Sequence, residues 1–155
     1  MTDLRIEVVE VVEAEDGDAM LRQWQHVHNV IVPPAAMSLD EVRERAARHR
    51  LCNAYVGEEL VGCSTVRAPQ GEEKAVMVIA RVLPEHRRRG FGTALYEDGL
   101  AHARVQGAGA VDTCVLAVNE EGLAFAHARG FTETERYTLP GEDDVWVDLR
   151  LTSES

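Results

Sequence analysis

Residues 74–118 of this 155-residue chain, "KAVMVIARVLPEHRRRGFGTALYEDGLAHARVQGAGAVDTCVLAV", restrict its fold more than any other part. Residues 74–83 are apolar almost throughout, so neither face of a strand here suits water, and such a strand belongs at the centre of a sheet. Pro84 ends it. The next stretch, 90–106, has a helical pattern that stops at Gly107-Ala108-Gly109, and 111–118 is again a strand of the buried type. Strand, helix and strand in this order form a right-handed parallel crossover, the one such unit expected in the chain.

The flanking segments supply the rest of the sheet. "LRIEVVEVV" at 4–12 is a first strand rich in β-branched residues. Met20, Trp24, Val27 and Ile31 fall at helical spacing until Pro33-Pro34 breaks the run. Ser38 with Glu41 forms a capping box, and Leu39, Val42 and Ala46 continue on one face, which gives a second helix at 38–49. "LCNAYVGEELVGCSTVRA" reads as a hairpin about Gly57-Glu58-Glu59. Asn119 caps a helix running to about Arg129, with Gly130 as its stop. "FTETERYTL" and "VWVDLRL", the latter at 145–151, close the chain as a hairpin around Pro140-Gly141. The order is β-α-α-β-β-β-α-β-α-β-β. This predicts one domain over 1–155 of mixed α/β (α+β) class, with a mostly antiparallel central sheet of about seven strands and about four helices.

Charge narrows the partners. Asp plus Glu number 27 against 16 Lys plus Arg, for a net charge of -11, and Lys74 is the only lysine. Long-range attraction to nucleic acid or anionic lipid is not expected of such a chain. No apolar run reaches the roughly 18–20 residues of a membrane helix. The start, "MTDLRIEVVE", is acidic and alternating rather than basic and then apolar, so a cytoplasmic location is expected. Cys52, Cys63 and Cys114 lack neighbours at metal spacing and read as reduced core thiols, and no metal is assigned.

Against that acidic background, "PEHRRRGFGTAL" at 84–95 places three arginines before a Gly-x-Gly. A nucleotide P-loop needs Gly-Lys-Ser/Thr, which the single lysine excludes. A dinucleotide fingerprint needs Gly or Ala where Leu95 stands. What both share remains: Arg87 to Thr93 lead into a helix start, where unpaired N–H groups and the positive end of the dipole meet. A pyrophosphate suits such a loop. The alternative is a solvated basic turn.

"VLPEHRRRGFGTAL" resembles the acyl-CoA loop of the GNAT superfamily of N-acyltransferases, V-x-P-x-x-R-x-R/K-G-x-G/A before a helix. "VNEEGLAFAHARGF" is similar to the family's next motif, with Asn119 and Gly130-Phe131 at the family's spacing, and the element order matches over nearly the whole chain. The resemblance implies that acetyl-CoA or a longer acyl-CoA lies between the strand ending at Leu83 and the strand ending at Val118. It implies that the backbone of Val82, Leu83 and Pro84 pairs with the pantetheine arm and that Asn119 contacts an arm amide. The loop residues Arg87, Arg88, Arg89, Gly90, Phe91, Gly92 and Thr93 would hold the pyrophosphate. The Val82 N–H would serve as oxyanion donor to the thioester carbonyl.

The implied reaction is direct acyl transfer to an amine of a small molecule or peptide, and two catalytic positions depart from the family pattern. Where many members have a carboxylate early in the fourth strand, this chain has Val76, with Glu72 and Glu73 just upstream as substitutes for a base. Where much of the family has a tyrosine acid, this chain has Ala126, with His127 next to it. The acceptor side is implied to come from "HVHNVIVPPAAM" and "LPGEDDVW", which offer Trp24, His28 and Asp143 as lining and an acidic rim for a cationic acceptor. Two other classes stay open: an acyl-CoA-binding sensor without transfer, and a subunit that needs a partner. A homodimer is also left open.

Overall fold

The strand expected at the centre is there. In the computed structural model, which describes residues 3–10 and 18–152, β4 (Ala75–Val82) is the fourth of seven strands in a single sheet. With β1 (Leu4–Val8), β2 (Arg50–Val56), β3 (Glu59–Val66), β5 (Ala110–Leu116), β6 (Phe131–Thr138) and β7 (Val145–Leu151), the order is β1-β2-β3-β4-β5-β7-β6. Only β4 and β5 pair in parallel among the strand pairs described, and α3 (Phe91–Val105) makes the crossover between them. The others are α1 (Ala19–Ile31), α2 (Leu39–Arg48) and α4 (Glu120–Ala128). The sheet is therefore mixed and mostly antiparallel, with four helices among the described residues.

Local signals set the element ends. The Ser38–Glu41 capping box forms in full, with Glu41 N–H donating to Ser38 Oγ at 3.2 Å and Ser38 N–H to Glu41 Oε1 at 3.0 Å. Asn119 caps α4 by accepting from Gly122 N–H at 3.0 Å. The first strand is shorter than its β-branched run, since β1 stops at Val8, and residues 11 and 12 of that run lie outside the described residues. Glu59 belongs to β3 rather than to the turn, because Gly57, at φ 62°, lets a two-residue turn close the hairpin. Pro33–Ala35 and Pro84–His86 each form a short 3-10 turn, which fixed proline φ angles favour.

The sheet is packed on both faces. Leu21, Trp24, Val27 and Val42 from α1 and α2 pack on Leu51, Cys63 and Leu83 on one face. On the other, Val76 and Val78 of β4 meet Tyr96 and Ala103 of α3, with Phe131, Val147 and Leu149 beyond. Gly99 lets α3 approach closely, because a Cβ there would stand 2.8 Å from Val78 Cγ1. Each fully buried aliphatic side chain contributes roughly 1.5–3 kcal/mol. No described helix is long and apolar enough to cross a membrane.

Candidate active site

β4 and β5 pair only at Ala75–Ala110, Val76–Val111 and Met77–Asp112, and then they part. Past that point a cleft of about 340 Å³ opens, walled by residues 78–82 on one side and 113–116 on the other. Which backbone groups face it follows from the ladder. Leu83 N–H donates to Val61 O and Arg67 N–H to Met77 O, both at 2.9 Å, so odd-numbered β4 residues bond to β3. The even-numbered ones, 78, 80 and 82, turn their N–H and C=O groups toward β5, where the partner strand has veered away. Val82 thus presents its N–H to the cleft. Leu83 and Pro84 do not share that role, since the Leu83 N–H is bonded to Val61, proline has none, and neither residue lines the cleft.

The arginine loop closes one end of this opening. Gly90 sits at the N-cap of α3 with φ 83°, a conformation that suits glycine, and Arg88 is held at φ 65°. Ala94 N–H makes the first helical bond, to Gly90 O at 3.1 Å, which leaves the N–H groups of Phe91, Gly92 and Thr93 without helical acceptors. The arginines differ in orientation. Arg87 donates through Nε to Val82 O at 3.0 Å and lies 3.9 Å from Glu121. Arg88 is exposed at the cleft rim. Arg89 turns away, with its guanidinium 3.2 Å from His86 Nδ1 and 5.0 Å above the Phe91 ring, while His86 Nε2 is 2.6 Å from Glu59. Arg89 therefore does not line the cleft, unlike Arg87, Arg88, Gly90, Phe91, Gly92, Thr93 and Asn119.

Glu73 and His127, expected as base and acid, lie away from the cleft. Glu73 pairs with Arg150 at 3.1 Å, beside Asp112, at the far end of β4. At about 3.3 Å per residue, the strand puts it more than roughly 20 Å from Val82. Val76, at 0% exposure, belongs to the core. His127 is exposed, with Nδ1 3.2 Å from Phe131 O, and it is Ala126 that faces the cleft. Tyr96 also lines the cleft, packed edge-on to Phe125 and Phe131. Its spacing of four from Gly92, one helical turn, is the sequence signal that marks it.

The acceptor face also departs from expectation. Trp24 is fully buried, and its indole N–H donates to Ser64 O at 3.1 Å. His28 stacks on Trp24 at 5.1 Å with Nδ1–H donating to Asn29 Oδ1, and burial together with the nearby Arg81 pulls its pKa down to about 4. Both are core residues. Asp143 is exposed in the β6–β7 turn, and neither it nor Glu142 or Asp144 lines the cleft. The wall on this side consists of Ile31, Val32, Arg81, Cys114, Leu116 and Trp146. Burial pushes the Cys114 thiol up to about 11, with Tyr137 Oη 3.8 Å away, so it stays protonated and is a poor nucleophile. The one carboxylate among the described lining residues is Glu121, at the rim beside Arg87.

The description "Acetyltransferase (GNAT) family" matches residues 17–131. Among curated proteins none matches the sequence. Solved structures share the fold at low identity. One is yncA of Salmonella typhimurium, solved with its cofactor acetyl-CoA, at 17% identity and TM-score 0.69 over 96% of this chain and 92% of that one. A Bacillus subtilis acetyltransferase in complex with CoA has 21% identity and TM-score 0.69 over 96% and 98% of the two chains. A ribosomal-protein-alanine N-acetyltransferase from Brucella melitensis has 16% identity and TM-score 0.70 over 94% and 98%. A central strand that parts from its parallel neighbour, a glycine-capped helix start at the opening and a family match over most of the chain lead to one conclusion: the protein belongs to the GNAT acetyltransferases.

Proposed function

We propose that the protein is an N-acetyltransferase that passes the acetyl group of acetyl-CoA directly to an amine. The observation that carries this reading is the Val82 N–H, left without a strand partner where β4 and β5 part and turned into the cleft that the α3 N-terminus adjoins. The residues present fit acetyl-CoA. Three N–H groups of the first α3 turn, with Arg88 at the rim, suit a pyrophosphate. Asn119 suits an amide of the arm, and the Val82 N–H is left for the thioester carbonyl, its own C=O being taken by Arg87 Nε.

Bound acetyl-CoA supplies an electrophilic thioester carbonyl and a thiol leaving group. With acetyl-CoA bound, the Val82 N–H would donate to the thioester carbonyl oxygen and, as a fixed donor, would stabilise the negative charge that grows there during attack. The cleft walls, largely apolar, favour the neutral form of the acceptor amine, since burial disfavours an ammonium ion. With no carboxylate inside the cleft among the described residues, the ammonium proton leaves to solvent at the open mouth. Tyr96 supplies the proton acquired by the departing sulfur, in place of the tyrosine that Ala126 replaces. Cys114, held as a thiol, forms no acyl-enzyme. A cytoplasmic location gives access to acetyl-CoA.

Ala126 favours one other reading, a protein that binds acyl-CoA without transferring the acyl group. Thiol release from acetyl-CoA with a panel of primary amines decides between them. Amine-dependent release supports transfer; tight binding with no release for any amine supports the sensor.

A further inference from the structure

The acceptor half of the cleft holds a cation without an anion. Val82 faces α3, for its Cγ2 would lie 3.7 Å from a Cβ on Gly92, so Arg81, the residue before it, points to the opposite face, toward α1 and α2. Arg81 is half-buried and lines the cleft, yet it makes no ion pair or side-chain hydrogen bond among the described residues. Two further half-buried arginines are near it, Arg45 of α2 and Arg67 after β3: the Arg67 charge lowers the pKa of both Arg45 and Arg81, the Arg81 charge lowers that of Arg45, and neither Arg45 nor Arg67 has an ion pair among the described residues. Glu41, whose charge acts weakly on Arg45, is held in the Ser38 capping box. Arg67 Nε is buried without an acceptor.

A second donor on the same wall is also unanswered. Trp146, 8% exposed, lines the cleft with its indole N–H unbonded among the described residues. Buried donors and charges left in this state cost free energy that a bound acceptor restores. A protein of net charge -11 has carboxylates to spare, yet none meets Arg81 among the described residues.

We propose that Arg81 binds a carboxylate carried by the acceptor, so that the amine acetylated by this protein belongs to an amino acid or similar amino-carboxylate. This rests on the reading of the protein as an N-acetyltransferase. The planar fork of a guanidinium pairs with a carboxylate through two parallel bonds, and the Trp146 N–H adds a third donor on the same wall. A purely cationic acceptor meets repulsion from Arg81, Arg67 and Arg45. The acidic residues of the β6–β7 turn, which suggested such an acceptor from sequence, lie outside the cleft.

Thiol release from acetyl-CoA, measured with free L-amino acids and β-alanine against the carboxamide of each, tests this directly. The expected result is a kcat/KM preference for the free acids of at least about tenfold, reduced toward unity in Arg81→Gln and intermediate in Arg81→Lys. Acetyl-CoA affinity by calorimetry stays within about twofold in both variants, because Arg81 faces away from the α3 loop. Ligand-free Arg81→Gln melts no lower than wild type, since it removes an uncompensated cation. Equal use of acids and amides, or a preference that survives Arg81→Gln, overturns the carboxylate site. A lower melting temperature with an unchanged preference makes Arg81 structural and overturns it too. Acetyl-CoA binding without release for any amine overturns the acetyltransferase reading, and the carboxylate site falls with it.

Discussion

Arg87 Nε donates to the carbonyl oxygen of Val82 at 3.0 Å, which ties the arginine loop to the strand whose N–H faces the cleft. One side chain thus couples the two halves of the proposed acetyl-CoA site. Arg87→Ala is expected to weaken acetyl-CoA binding about tenfold and to lower stability by about 1 kcal/mol, the charge-assisted bond being discounted for partial exposure. Arg89→Ala, which among the described residues loses contacts to His86 and Phe91, is expected to change affinity less than about twofold. Equal losses in both variants, measured by calorimetry, contradict the division of labour among the arginines.

Tyr96 is assigned the proton that the leaving sulfur acquires. A thiol has a pKa near roughly 8.5, so its thiolate departs without full protonation and the acid contributes modestly. Tyr96→Phe is expected to lower kcat about 10- to 100-fold at neutral pH with acetyl-CoA affinity unchanged. Because Tyr96 is also a core residue, the melting curve of the variant must be followed alongside. An unchanged kcat removes Tyr96 from the mechanism.

The amine has to be neutral to attack. With Glu121 at the rim as the one carboxylate among the described lining residues, kcat/KM is expected to rise about tenfold per pH unit until the pKa of the acceptor amine is reached, near roughly 8–10. A flat profile from pH 6 to 9 contradicts attack by a free amine deprotonated by solvent.

His28 ties stability to pH. Its pKa falls from 6.5 to about 4 on folding, chiefly through burial, so between those values the unfolded chain binds a proton that the folded one does not. Stability is therefore complete above about pH 6.5 and is lost as pH falls toward 4, by on the order of 3 kcal/mol. His49 and His102, also lowered by burial, act in the same direction. Urea midpoints from pH 7.5 to 4.5 check this, and His28→Gln is expected to have a shallower slope. An equal slope in that variant assigns the acid sensitivity to other groups.

How far these features were legible depends on how local their causes are. Ser38–Glu41, Asn119 and the run at 74–118 were readable because a cap or a period is complete within a few residues. The three adjacent arginines look alike in sequence, and they separate only because Val82 O, Glu121 and His86, brought in by other elements, draw them apart. Glu73 and His127 stand near Val76 and Ala126 along the chain, but Arg150 at the far strand end and a one-residue helical offset place them outside the cleft. Arg81 and Trp146 carry no local signal, because their convergence depends on strand register, such as Leu116 opposite Trp146, which one sequence does not specify. Trp24 and His28 lie on the inward helix face, and there the core takes them.

The central claim is that the α3 N-terminus and Val82 form an acetyl-CoA site, and calorimetric titration of acetyl-CoA into wild type and Gly92→Glu tests it most directly. A Cβ at Gly92 meets only ordinary contacts, 3.5 Å from Phe125 and 3.7 Å from Val82, and a carboxylate in a first helical turn does not destabilise the fold, so the variant adds negative charge where the pyrophosphate is expected. The expected result is affinity near roughly 1–10 μM for wild type and a loss of at least about tenfold in the variant, with melting unchanged. Equal affinity in the two proteins, or no binding by wild type, would contradict the site.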